Sequence, residues 1–243
     1  VRTSEIVLVA AVFFASLVES VEALTLVLAA GISRSWRSAL EGAAAALVIL
    51  AVLVAAVGVP LVRYVPINPL RVIVGALLLV MGMNWLRKAW LRASGLKAKH
   101  DEDAIFQATV DELSSEPKPM PGRRDGAAFL IAFKGTFLEG TEVVLIAISL
   151  GASDHHLALA SYAAISAVLL VAVVGAIVAR QLSSVPENLI KTIVGVMLCS
   201  FGLFWVGEGA GLRWPGSDLA LLVLIAIFAA STVIAPKLLE RGA

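Results

Sequence analysis

PINPLRVIVGALLLVMGMNW, residues Pro66 to Trp85, returns 120 residues later as PENLIKTIVGVMLCSFGLFW, residues Pro186 to Trp205. In one gapless register Pro66, Asn68, Ile73, Val74, Gly75, Leu78, Gly82 and Trp85 recur as Pro186, Asn188, Ile193, Val194, Gly195, Leu198, Gly202 and Trp205. Apolar composition alone yields chance matches of Val and Leu. It does not readily yield a Pro, Asn, Gly, Gly, Trp series at fixed spacing, so the chain reads as a duplication. The same offset aligns most of three apolar runs in each half.

Outward from this stretch, apolar runs lie near residues 6–30, 39–62, 70–91, 126–150, 157–179, 189–207 and 217–235. Each approaches or exceeds the roughly 20 residues that a helix needs to cross a bilayer. Hydrophobic residues make up 60% of the 243 and charged ones 15%, with a mean hydropathy of +0.95, which excludes a water-soluble domain. Backbone groups in lipid must be satisfied within the segment, and strand-type alternation is nearly absent, so the spans are expected to be helices. The breaks fall at Gly31 with Ser33, at Pro66 and Pro69, at Pro186 and at Pro215-Gly216. The first run lacks a strong basic flank and has a partner in the fourth, so it reads as a mature helix and not as a signal peptide.

A repeat of three spans is odd, so its second copy enters the membrane from the opposite face. The expected fold is an all-α integral membrane protein of seven transmembrane helices, with two inverted three-helix repeats and one extra C-terminal helix. The divisions are 1–92 for the first repeat, 93–125 for a cytoplasmic linker, 126–210 for the second repeat, and 211–243 for the seventh helix and tail. Inverted repeats are common in secondary transporters, whose substrate site lies near the bilayer midplane between the repeats.

Of the 19 Lys and Arg residues, four fall on one side (Arg2, Arg63, Arg71, Arg213) and fourteen, Lys191 among them, on the other, with Lys134 inside a span. Short cytoplasmic loops carry the basic excess, so the amino terminus is expected outside and the carboxy terminus inside a plasma or inner membrane. Trp36, Trp85, Trp90 and Trp214 fall near expected span ends, where an amphipathic ring suits the interface. The net charge of +1 gives no sign of a nucleic-acid partner, and the lone Cys199 excludes a disulfide framework and a thiolate cage.

The 120-residue offset also lays ESVE, Glu19 to Glu22, on EGTE, Glu139 to Glu142, both near the centres of their spans. Spacing i, i+3 puts two carboxylates on one helix face. A charged carboxylate at a span centre costs about 2.5 to 3.5 kcal/mol even on a permissive scale, so four cost about 10 kcal/mol or more if unpaired. Inverted symmetry brings the first and fourth spans together, so Glu19, Glu22, Glu139 and Glu142 are expected to form one metal site. Four like charges cannot all stay ionised without a cation or several protons. With no Cys or His in either motif, Ca²⁺, Mg²⁺, Mn²⁺ or Fe²⁺ suits them. The structural alternative is that these Glu side chains are protonated and merely bond neighbouring helices.

Ser16, Ser20, Thr25, Thr136 and Thr141 either add ligands or bond back to their own helices. Gly31 and Gly151 are expected to end helices, and Gly135 and Gly140 to admit a close backbone. Lys134 either pairs with a carboxylate or snorkels to the cytoplasm. Glu208 and Asn84 read as structural, and Cys199, Met197, Met81 and Met83 as packing. In the linker KAKHDEDAIFQATVDELSSEPKPMPGRRDG the middle fits a short helix and PKPMPG an extended connector. It reads as solvated, with His100, Asp101, Glu102 and Asp103 as the ion-binding alternative. Ser153, Asp154, His155 and His156 form either a turn or a metal-collecting mouth.

At its glutamate pairs the sequence resembles the iron permease family, membrane partners of ferroxidases, whose signature is R-E-G-L-E on the first and fourth helices. LEGTE at Leu138 to Glu142 matches the E-G-x-E core, and VESVE at Val18 to Glu22 matches the two acids. The resemblance implies seven helices, an extracellular amino terminus and iron uptake. A looser likeness is to cation/proton exchangers with paired E-x-G-D-K-T motifs on inverted repeats, which move Mn²⁺ or Ca²⁺. Together they imply a transporter, not an enzyme, with a metal cation of the iron, manganese or calcium class as cargo, protons as the exchanged ion and no permanently bound cofactor. Whether the chain works with a partner protein or as a homo-oligomer is left open. The competing classes are an intramembrane metal-dependent enzyme using the carboxylates to activate water, and a metal-sensing membrane subunit.

Overall fold

The computed structural model describes residues 3–98, 101–117, 119, 123–153, 156–177, 187–217 and 219–242. Arg2, His100, Asp154, His155 and the break at Pro186 lie outside the described residues. Among the described residues the elements are all helical: α1 (Thr3–Ala30), α2 (Trp36–Leu53), α3 (Val59–Tyr64), α4 (Ile67–Ala93), α5 (Glu102–Ser115), α6 (Gly126–Ser153), α7 (Leu157–Ile177), α8 (Glu187–Gly209) and α9 (Leu219–Gly242).

Five helical stretches are long and apolar enough to cross a membrane: Leu8–Ala56, Ile67–Ala93, Leu157–Gly175, Asn188–Gly209 and Leu219–Glu240. The first would extend about 74 Å as one rod, but it breaks at Ser35. There the backbone is extended (φ −155°, ψ 111°), and the hydroxyl caps α2 by accepting from the Ser38 N–H at 3.3 Å. A π-helical turn, Val54–Gly58, then joins α2 to α3. Pro60 lies just beyond it, lacks an N–H and cannot continue the regular ladder. α6 has 28 residues but carries Lys134, Glu139 and Glu142 in its middle. Leu47, Val48, Val80, Leu169, Val173, Leu222 and Ile227 stand exposed along these helices. This is the surface of a membrane-embedded protein.

The most extensive helix contact among the described residues is between α4 and α8, which carry the repeated stretch. A Cβ built on Gly75 would lie 2.7 Å from the Gly202 carbonyl oxygen, and one on Gly202 2.7 Å from the Gly75 oxygen. Likewise Gly82 faces the Cys199 N at 2.7 Å and the Gly195 oxygen at 3.0 Å. The four recurring glycines thus pair crosswise, Gly75 with Gly202 and Gly82 with Gly195, so the two helices run antiparallel. The recurring asparagines lie at opposite ends of this crossing. Arg92 Nη1 donates to Asn188 Oδ1 at 2.8 Å, and the Asn68 carbonyl would meet a Cβ on Gly209 at 2.6 Å. Leu70, Val74, Leu78, Val194, Leu198 and Phe201 pack here into one core with residues of α1, α6 and α7. Trp85 belongs to that core, 5% exposed, and not to an interfacial belt; Trp205, its counterpart, is buried beside it.

The linker helix α5 is more than a solvated tether. Leu113 and Thr109 are buried, and Leu113 packs with Val27, Ala30 and Ala39 at the junction of α1 and α2. Asp101 caps α5 by accepting from the Ala104 N–H at 3.1 Å, so its carboxylate is used by the helix, while Asp103 is exposed.

Candidate metal centre

Glu19 lies midway along α1 and is 1% exposed; Glu22, one turn on, is partly buried. Gly135 of α6 has Leu26 of α1 against it, 2.5 Å from a would-be Cβ, while Glu139 and Glu142 farther along α6 meet Glu19. Advancing along α6 therefore means retreating along α1, and the two acid-bearing helices are antiparallel. Gly140 admits Leu50 of α2 on another side of α6.

Carboxylate oxygens of Glu19, Glu139 and Glu142 all lie within 4.8 Å of one another. Oxygen ligands sit 2.3 to 2.6 Å from Ca²⁺, so two on opposite sides of one ion are about 4.6 to 5.2 Å apart, and the triad spans what one such cation bridges. Three of the four glutamates expected at the site are thus brought together, within the span of one ion. Glu22 accepts a hydrogen bond from Lys191 Nζ instead.

The hydroxyls divide cleanly. Ser20 donates to the Ser16 carbonyl at 2.6 Å, Thr25 to the Val21 carbonyl at 3.0 Å and Thr141 to the Phe137 carbonyl at 2.6 Å, so these three bond back to their own helices. Ser16 Oγ and Thr136 Oγ1 are buried and make no hydrogen bond; Glu19 Oε1 makes none either, but has an ammonium 3.5 Å away. Ser16 precedes Glu19 by three residues and Thr136 precedes Glu139 by three, the same place in both repeats. Buried polar atoms left this way carry a desolvation cost that a bound cation or water offsets. A cavity of about 290 Å³ between α1, α2, α6 and α7 reaches Glu19, Ser20 and Thr136 at its polar end and is otherwise lined by residues such as Leu24, Leu47 and Val171.

Among the described residues, the basic one at the site is Lys191 of α8. Its Nζ lies 3.5 Å from Glu19 Oε1 and 5.4 Å from the centroid of the Trp85 ring, and its side chain is 13% exposed. Lys134 is exposed on α6. Lys191 lies near the start of its span, where the sequence suggests cytoplasmic water, but its side chain turns to the carboxylates instead. The available signal was that position 71/191 is basic in both repeats. Arg71, its counterpart, pairs with Glu208 Oε2 at 3.3 Å in an open cavity of about 560 Å³ with Arg213 and Trp214. Glu208 is therefore an ion-pair partner on the far end of α8.

A second polar cluster ties the linker to the bundle. Arg34 Nε donates to Asp125 Oδ2 at 2.7 Å, with both side chains 4% exposed, and its Nη1 and Nη2 reach the carbonyls of Leu113, Glu116 and Pro117. Asp125 in turn caps α6 by accepting from the Ala128 N–H at 3.0 Å, and its own N–H donates to Ser38 Oγ. Burial alone would raise the Asp125 carboxyl. The Ala128 N–H and the Arg34 guanidinium outweigh it and hold the group below its ordinary value.

No protein-family model, curated protein or solved structure matches the chain.

Proposed function

We propose that the chain is a secondary transporter of a divalent metal cation, of the iron or manganese class, with Glu19, Glu139 and Glu142 as its ligands and Glu22 as an adjoining carboxylate. The observation that carries this reading is the convergence of three carboxylates from two antiparallel helices to within 4.8 Å, beside buried hydroxyls with no other partner. The likeness of LEGTE to the iron permease signature supports iron as cargo, and the all-oxygen donor set supports Mn²⁺ or Ca²⁺ equally. The arrangement is read as two inverted three-helix repeats with a seventh helix, in a plasma or inner membrane, amino terminus outside. The crosswise pairing of Gly75 with Gly202 and Gly82 with Gly195 supports that symmetry, because a two-fold axis through the crossing maps this contact onto itself. With Lys191 moved to the site, the basic count stands at thirteen against four and keeps the orientation.

Carboxylates bind metal in their deprotonated form, so binding weakens as pH falls and releases protons. Protons that refill the site after metal leaves make the carrier an exchanger. Purified protein in liposomes, assayed for Mn²⁺ and Fe²⁺ entry, is expected to give saturable flux that Glu19→Gln abolishes. Flux no greater than in protein-free liposomes would overturn the transport reading.

A further inference from the structure

Lys191 raises a question that the glutamates alone do not. A buried ammonium is costly unless paired, and Lys191 is paired with Glu19, assigned above to a metal, and with its neighbour Glu22. Its Nζ hydrogen-bonds Glu22, lies 3.5 Å from Glu19 Oε1, and rests over the face of Trp85, where the ring quadrupole favours a cation. The groups around it are Glu19 and Glu22 of α1 and Trp85 of α4, with Glu139 and Glu142 of α6 completing the carboxylate cluster. A lysine holds its charge at the end of a flexible four-carbon stem, so it can reach a site and withdraw from it without moving its helix. The matching Arg71 is engaged with Glu208 at 3.3 Å, so the arrangement at Glu19 and Glu22 is not a repeated structural pair.

Building on the transport reading, we infer that Lys191 is a tethered counter-cation of the metal site: its ammonium offsets one carboxylate charge when metal is absent, protons taking up the rest, and gives way when metal enters. Two consequences follow from charge. Metal competes with the ammonium, so removing the ammonium tightens metal binding. The metal-free carrier must also reorient with its carboxylates inside a low-dielectric bundle, and without Lys191 that step carries one further uncompensated charge. Metal-loaded reorientation does not need the lysine, since the ion supplies the charge. Loss of Lys191 therefore separates exchange of metal for metal, which needs only the loaded form, from net uptake, which needs the metal-free return.

The test uses the full chain in liposomes, with Mn²⁺ as probe, for wild type, Lys191→Met, Lys191→Gln and Lys191→Arg. Lys191→Gln keeps a donor for Glu22 and guards against a folding defect in Lys191→Met. Both neutral variants are expected to bind Mn²⁺ at least about tenfold more tightly, a floor set by one unit charge a few ångströms from a divalent ion even at the dielectric of water. They retain Mn²⁺/Mn²⁺ exchange and lose most net uptake, and Lys191→Arg regains net uptake. Neutral variants that bind Mn²⁺ no more tightly than wild type, or that lose exchange and net uptake alike, would make Lys191 structural and overturn the inference while leaving transport standing. A wild type that neither binds nor moves Mn²⁺ would remove the transport reading and this inference with it.

Discussion

Ser16 and Thr136 show what a single residue contributes here. Each is buried with an unbonded hydroxyl, so neither stabilises the fold through hydrogen bonding. Ser16→Ala and Thr136→Val are expected to leave thermal stability unchanged or raise it by up to about 1 kcal/mol, because an unsatisfied polar group is removed. The same variants should weaken Mn²⁺ binding several-fold, measured by titration. A marked loss of stability with unchanged binding would assign the hydroxyls to the fold instead. The glutamates were legible in the sequence because charges in the middle of apolar runs have few structural uses. The division of the hydroxyls was not, since Ser20, Thr25 and Thr141 differ from Ser16 and Thr136 only in rotamer and neighbours.

At the scale of elements, the α4 and α8 crossing depends on the absence of side chains at four positions. A Cβ on Gly202 would lie 2.6 Å from the Leu79 backbone N, which cannot yield as a side chain would. Gly202→Val is expected to cost about 1 to 3 kcal/mol or more through overpacking, whereas Gly126→Ala, with nothing within 4 Å, should be close to neutral. Thermal unfolding in detergent compares the two directly. The Arg34 and Asp125 pair behaves differently, since Arg34→Ala strands a buried carboxylate and should cost about 3 to 5 kcal/mol. Asp125 has a lowered folded value, so its contribution is complete above the ordinary Asp value of about 3.9 and is lost as pH falls through the lowered one. The stability gap between wild type and Asp125→Asn should therefore be flat from pH 8 to about 5 and narrow below about 4. Pro and Gly punctuation placed the long helices close to where they lie. The docking of α5 was hidden, because Leu113 is buried in part by Val27, Ala30 and Ala39, more than 70 positions away in the chain.

For the whole molecule, the offset of 120 residues carries most of the account. It relates the glutamate pairs, the crossing glycines, the orphan hydroxyls and the basic position 71/191, although only Lys191 of that last pair reaches the carboxylates. Sequence periodicity reveals which residues are equivalent and is silent on which of two equivalents is engaged, because that is a property of one conformation. Orientation is testable with single cysteines, since native Cys199 is buried. Asp103→Cys should label only after permeabilisation and Ser217→Cys on intact cells; labelling of both from one face would contradict the inverted repeat. The central claim, that the two halves build one metal site, is tested most directly by equilibrium Mn²⁺ binding to the purified protein, read by electron paramagnetic resonance. One ion per chain is expected, with Glu19→Gln and Glu142→Gln each abolishing binding and the double variant no worse than either. Two ions per chain, each lost with one substitution, or binding that survives both, would contradict it.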